Sequence, residues 1–388
     1  ANLLLRQGWR GGLGQIIGSD FVTLYAAGLL YRTDITHLYD FTTQGNIQQA
    51  LIHPTVLRGV NPYISPPYVA WAYSALTFLP LTRALVAWTL VSLLFIALAV
   101  HLGTRFLAPS WLVRAGLSRF QAFIILISSF AFVEGLQVGQ NHGLTLLLVT
   151  GITVSTLSGR WYTAGALAGF LLYKPQFALG FLILWVVWRK YQALVSFAGI
   201  SGVWAGIVLF SKGFDPYQSY LTISDQVLRL PYVEGFPGFL MVTPYGLLAT
   251  LLPQAASSVI QAFIQILTLA ISVGFVWFAY RRRNAPPSGR KPALVLALLY
   301  PLLATPYALL HDLLVLFPVF LLLPTDRSNS TYLLHIAVAT YFGVFILPPL
   351  AYLSGVAYLA FIPIGVLVMQ LRQIWVSERR VYSYEGRC

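Results

Sequence analysis

One cysteine, Cys388 at the last position, is all that the 388 residues contain. An intrachain disulfide and a cysteine-based metal site are thereby excluded. Charge is scarce too: Asp, Glu, Lys and Arg make up 9% of the chain, and only eleven residues are acidic. The six histidines, at positions 37, 53, 101, 142, 311 and 335, show no HExxH spacing and no close pairing with cysteine, so no zinc pattern is present. Walker A, GxGxxG and GxSxG motifs are missing as well, which leaves soluble nucleotide chemistry without a visible site.

What the chain has is apolar sequence. Hydrophobic residues reach 58%, above the roughly 45–50% of ordinary soluble domains. Apolar runs of about 17–25 residues, the length a helix needs to cross a bilayer, recur from position 83 to position 371. Backbone that meets lipid must be helical here, so the expected fold is an all-α, polytopic transmembrane bundle of about 10–12 helices. The net charge of +13 does not argue for nucleic acid, because the basic residues fall in short clusters between apolar runs. Residues 1–18, "ANLLLRQGWRGGLGQIIG", are too rich in Gly and Arg to span a membrane or act as a signal peptide. A further helix upstream of residue 1 is expected.

Orientation follows from "YRRRNAPPSGRK", where Arg281, Arg282, Arg283, Arg290 and Lys291 follow the run 258–280. The positive-inside rule makes this loop cytoplasmic. Arg160, Arg189–Lys190, Arg327, the segment 105–119 with Arg105, Arg114 and Arg119, and the tail 372–388 with Arg372, Arg379 and Arg380 then fall on the same side. Threading from these anchors gives spans near 83–104, 120–135, 142–158, 161–173, 176–188, 192–210, 258–280, 293–310, 312–324, 331–347 and 350–371. The stretches 66–80 and 241–253 are too short for a straight span. The expected organisation is one integral membrane domain over 1–388, with 19–65 as a long first outer loop and 66–371 as the transmembrane region. No internal repeat of the transporter kind is found.

The same threading gathers several polar islands on the outer face: 19–65, "EGLQVGQNHG" (134–143), "YKPQ" (173–176), "LLHDLL" (309–314) and the loop 211–240 with Asp215, Asp225, Arg229 and Glu234. Ionisable groups at membrane depth are costly and tend to line cavities. Asp20 opens the helix-compatible run "DFVTLYAAGLLY", where its carboxylate could cap the helix, serve a reaction, or both. Asp34 and Asp40 read as turn or cap residues. Lys174, directly before Pro175, is either a snorkelling lysine or a cation placed for a phosphate. His311 and Asp312 split a long apolar stretch. The histidine could donate to a phosphate oxygen while the carboxylate fixes its tautomer, or the pair could be a local turn. Asn141 and His142, flanked by polar and glycine residues, form a break between two spans that suits a turn or a binding role.

Taken in order, "SDFVTLYAAG", "LYD", "NPYISPPYVAWAYSALTFLPLTRALVAW", "VGQNHGLTLLL", "GFLLYKPQFAL" and "LLHDLL" resemble glycosyltransferase family 87, membrane glycosyltransferases of the GT-C type. The resemblance covers roughly residues 19–320; the last ~65 residues match only as generic membrane helices, and the family's first transmembrane helix would precede Asp20. It implies transfer of a sugar, mannose by default with arabinose and glucose as alternatives, from a polyprenyl-phosphate donor to a lipid-linked or glycan acceptor. The face implied is the extracytoplasmic side of the plasma (inner) membrane. By resemblance Asp20 is the catalytic base, and Lys174 and His311 stand near the carrier phosphate; Asp312, Asn141 and His142 join the substrate-site candidates on their own residue types and positions, not by the resemblance. Neither cofactor nor metal is implied, since the leaving group already departs as phosphate. The implied partners are the donor, the acceptor and membrane lipids, not nucleic acid.

Two other classes compete. A lipid or glycan transporter or flippase would also be polytopic, but would be expected to carry repeats and charges deep in both halves. The first outer loop of ~45 residues is long for a transporter connection. A non-catalytic subunit of a larger complex would co-purify with partners at fixed stoichiometry and lack transfer activity.

Overall fold

The computed structural model describes Trp9, residues 16–57, 59–107, 116, 118–223, 236–323 and 330–385. Arg114, Asp225, Arg229, Glu234, Arg327, Cys388 and nearly all of 1–15 lie outside the described residues. Seventeen α-helices are described and no β-strand among the described residues; the extended backbone at Met241 makes one antiparallel bridge with Leu309.

Among the described residues four helices are long and apolar enough to cross a membrane: α4 (Leu81–Phe106), α10 (Tyr191–Lys212), α13 (Ser257–Arg281) and the part Ala337–Ser354 of α16 (Ser330–Ser354). The pair α5 (Arg119–Ser128) and α6 (Phe130–Val138) is apolar enough when taken together but bent by 62°, as a broken span or a re-entrant loop would be. The bend sits at Ser129, whose extended backbone interrupts the helix and whose hydroxyl accepts from Phe132 N at 3.3 Å. The sequence reading predicts 10–12 membrane helices; the remaining apolar segments are helical but shorter than the ~20 residues of a straight span. Among them are α7 (His142–Leu157), α8 (Trp161–Phe170), α9 (Gln176–Val187) and α14 (Pro287–Ala304). The all-α polytopic class is as expected.

The packing is that of a chain surrounded by lipid. On α4 an exposed stripe of Val86, Leu90, Leu94 and Leu98 runs down one face, while Ser92, Ile96, Ala99 and Gly103 are buried on the other. Small residues on the inner face let helices approach closely, which is how association proceeds when lipid tails are as apolar as leucine. Gly180 of α9 is such a point: a Cβ there would lie 2.2 Å from the Ala297 carbonyl oxygen of α14. α7 is the central helix, with Thr145, Thr150, Thr153 and Thr156 buried along it.

The stretch 19–65, read as an outer loop, carries two helices, α1 (Ser19–Thr33) and α2 (Phe41–Ile52). α1 buries Phe21, Val22, Leu24, Tyr25 and Leu30 against α3 (Pro67–Ser74) and neighbouring residues. Its first turn is tied to the end of α6 by Gly18 N donating to Gln137 O at 2.7 Å.

Basic loops collect at one end of the bundle. Lys190 lies 4.8 Å from the Trp161 ring, Arg290 lies 5.4 Å from the Trp188 ring, and Trp188 Nε1 donates to Ala279 O at 3.0 Å. α14 leaves that end and runs 18 residues, about 27 Å at 1.5 Å per residue, before the chain turns toward His311. The arginine loop and His311 therefore stand at opposite ends of one helix.

Candidate active site

Three turns meet at the end away from the arginines. The first follows α6, where Gly139 takes a left-handed φ of 74°, easily adopted by glycine. It presents Gln140, Asn141 and His142. The second is the break Leu171–Lys174 between α8 and α9. A residue before proline is pushed out of the α region, and Lys174 has φ −132°, ψ 73°. The Tyr68 hydroxyl holds this turn by donating to Leu172 O at 2.9 Å. The third follows α14 and winds as the 3₁₀ segment Leu310–Val315. It is braced by Val242 N donating to Ala308 O at 3.0 Å.

Lys174 Nζ donates to Asp312 Oδ1 at 2.7 Å and approaches His311 Nε2 at 3.5 Å. Asp312 Oδ2 accepts from Leu309 N at 3.0 Å, so both carboxylate oxygens are engaged. His311 Nδ1 lies 3.0 Å from Glu134 Oε2 on α6. The other ring nitrogen, Nε2, faces Lys174 and lies 3.8 Å from Asp312 Oδ1, so the imidazole stands between two carboxylates. The snorkelling alternative for Lys174 is not what the structure has: its ammonium is paired inside the protein. Its ammonium has three donors, of which Asp312 and His311 engage at most two.

Asp20 sits at the other side of the turn 139–142. Its Oδ1 accepts from Asn61 Nδ2 at 2.8 Å and its Oδ2 from Gln140 Nε2 at 2.7 Å. Asn61 is itself held, its carbonyl accepting from Thr23 Oγ1 at 3.0 Å and Gln48 Nε2 at 2.7 Å. The capping reading of Asp20 is corrected: Gly18 is the N-cap of α1 and no side chain caps that end. Two side-chain amides, not backbone N–H groups, hold this carboxylate. The polar wall continues from Gln140 through Asn141 and His142 to His311, whose ring centroid is 6.4 Å from that of His142. Tyr307 is within electrostatic reach of Asp20, Asp312 and Glu134.

Asp34 and Asp40 lie apart from this wall, on exposed turns. Asp34 binds Thr36 and His37 side chains, and Asp40 caps α2 by accepting from Thr43 N at 2.6 Å. Both are the turn and cap residues expected. Glu134 and Gln140 lie in the polar island 134–143 but were not singled out as site residues there, and Asn61 and Tyr307 were not among the sequence candidates. As an acid at the edge of an apolar run, Glu134 carried the stronger signal. Among the described residues no group of three or more His, Cys, Asp or Glu side chains converges as metal ligands do. An apolar cavity of about 170 Å³ adjoins the third turn, lined by Ile125, Leu126, Leu313, Leu314, Phe317 and Val344 among others.

The family model of glycosyltransferase family 87 matches residues 63–306, more than half of the chain. Lys174, Glu134 and Gln140–His142 fall inside the matched range, and Asp20, Asn61, His311 and Asp312 fall outside it. Comparisons with curated proteins and with solved structures find no match.

Proposed function

The chain belongs to glycosyltransferase family 87, and from that premise we propose that this membrane glycosyltransferase takes its sugar from a polyprenyl phosphate. The sugar proposed is mannose, and the acceptor a lipid-linked or glycan alcohol. The reaction is placed on the extracytoplasmic side of the plasma (inner) membrane, the side away from the Arg281–Arg283 loop. The observation that carries the reading is the polar wall itself. It has a carboxylate held by two amides at one end and a buried ammonium at the other, beside an apolar cavity suited to an isoprenoid chain.

In the proposed step Asp20 takes the proton of the acceptor hydroxyl. The freed oxygen forms a bond to the anomeric carbon as the bond from that carbon to the phosphate oxygen breaks. The phosphate leaves with the electron pair, and the Lys174 ammonium meets the charge that develops there. A positioned base contributes typically ~10²–10⁴ in rate. Glu134 and Asp312 act one step back: they hold His311 and Lys174 in place.

The test is transfer by purified protein in lipid nanodiscs, with polyprenyl-phosphate mannose carrying a radiolabelled sugar and membrane lipid extract as acceptor. Label should move to a new lipid or glycan product with wild type. No transfer from any polyprenyl-phosphate sugar, by protein that is folded and supplied with acceptor, would overturn the reading.

A further inference from the structure

Between the Asp20 end and the Lys174 end of the wall stand three polar atoms with nothing to bond. Asn141 Oδ1, His142 Nδ1 and His142 Nε2 have no hydrogen-bond partner among the described residues, though Asn141 is 6% and His142 1% exposed. The Gln140 carbonyl approaches the imidazole without reaching hydrogen-bond geometry. Unpaired buried polar atoms are rare and costly, and three on adjacent residues call for an explanation.

The fold does not supply one. Asn141 precedes α7 but makes no side-chain cap there. The His142 ring packs edge-on to Phe132, with centroids 5.5 Å apart, and against Gly135, where a Cβ would lie 2.6 Å from Nδ1. An apolar side chain would fill that slot without stranding any nitrogen.

Position suggests what does meet these atoms. Gln140, the preceding residue, binds the Asp20 carboxylate, and His311 on the other side adjoins Lys174. In the proposed reaction the group that lies between base and leaving phosphate is the sugar ring, a neutral polyol. An amide oxygen accepts a hydroxyl proton, and a neutral imidazole offers one donor and one acceptor. Phosphate oxygens, by contrast, call for charge, which Lys174 brings. We propose that Asn141 and His142 form the subsite that reads the hydroxyl groups of the donor sugar and so determines which sugar is transferred. This rests on the polyprenyl-phosphate-sugar reading given above.

His142→Leu removes the polar atoms at near-constant volume, Asn141→Leu replaces the amide by a bulkier side chain of the same branching, and His142→Gln keeps a donor and an acceptor. Each protein is titrated in nanodiscs with sugar-free polyprenyl phosphate and with polyprenyl-phosphate mannose, and transfer is followed with mannose and glucose donors. Wild type should bind the sugar-bearing carrier roughly tenfold or more tightly than the bare one, since a site built for hydroxyls loses those bonds without them. The Leu variants should bind the bare carrier like wild type, lose that increment, raise KM for the donor and narrow the preference between sugars. His142→Gln should recover part of it. Unliganded Tm should hold or rise in His142→Leu, because two unpaired polar atoms are gone. Equal weakening of both carriers would assign these residues to the phosphate or lipid and overturn the proposal. Wild-type transfer and selectivity in the Leu variants would overturn it too. If wild type binds both carriers equally, the sugar subsite alone fails; if it binds neither, the donor reading fails and the subsite with it.

Discussion

Lys174 Nζ and Asp312 Oδ1 are 2.7 Å apart across 138 residues of sequence, and the two side chains are only 11% and 1% exposed. Breaking such a pair by removing one partner costs about 3–5 kcal/mol, because the other charge is left buried and alone. Lys174→Ala should therefore lower Tm sharply, in contrast to loss of a surface cation. The double variant Lys174→Met with Asp312→Asn removes both charges and keeps an acceptor for Leu309 N. It should recover most of the lost Tm and still fail to bind polyprenyl phosphate. A double variant that bound the carrier normally would remove Lys174 from the phosphate site.

Gly135→Ala puts a methyl group where the His142 ring now lies. The helix gains about 0.5–1 kcal/mol from replacing glycine, but the methyl would lie under 3 Å from three atoms of the buried ring, which must shift. Tm should fall, and donor KM should rise toward that of His142→Leu. Unchanged kinetics in a folded Gly135→Ala protein would show that the ring's placement does not matter.

Asp40 gives a pH dependence away from the site. The Thr43 backbone N–H holds its carboxyl below the usual carboxylate range, with the Thr43 side chain adding to this. A depressed folded pKa means that the cap's contribution is present above the unfolded value, near 3.9, and is lost as pH falls through the folded one. Asn caps as well as Asp but does not titrate in this range. Asp40→Asn should match wild type in Tm at pH 7 and lose less as pH falls below about 4. Parallel Tm curves for the two proteins down to pH 3 would contradict the capping role.

Much of this arrangement was readable before any coordinates, and the reasons are local. Spans expected at 83–104, 192–210 and 258–280 are helices Leu81–Phe106, Tyr191–Lys212 and Ser257–Arg281; long apolar runs admit few alternatives in lipid. The proline after Lys174 marks its turn, and the charged pair 311–312 marks the next. What was not legible depends on contacts across the chain. Asn61 and Gln140 are neutral amides, ordinary in any turn, and only the fold brings them to Asp20 from 41 and 120 residues away. Polar residues in 19–65 suggested a loop, yet the apolar side chains of 21–31 bury a helix there. The bend at Ser129 divides what composition presents as one span.

Asp20 is the proposed base, and Asp20→Asn removes the proton-accepting oxygen with little change of shape. Asn can still accept from one of the two amides that hold Asp20, so the loss in stability should be about 1 kcal/mol. The protein should stay folded and bind donor, but an amide cannot take the acceptor's proton. Initial rates of label transfer from polyprenyl-phosphate mannose, compared among wild type, Asp20→Asn, Asp34→Asn and Asp40→Asn, separate the carboxylates. Rates should fall roughly 10²-fold or more for Asp20→Asn alone, equivalent to ~2.7 kcal/mol of barrier, with the other two near wild type. Full turnover in folded Asp20→Asn protein would contradict the base role of Asp20.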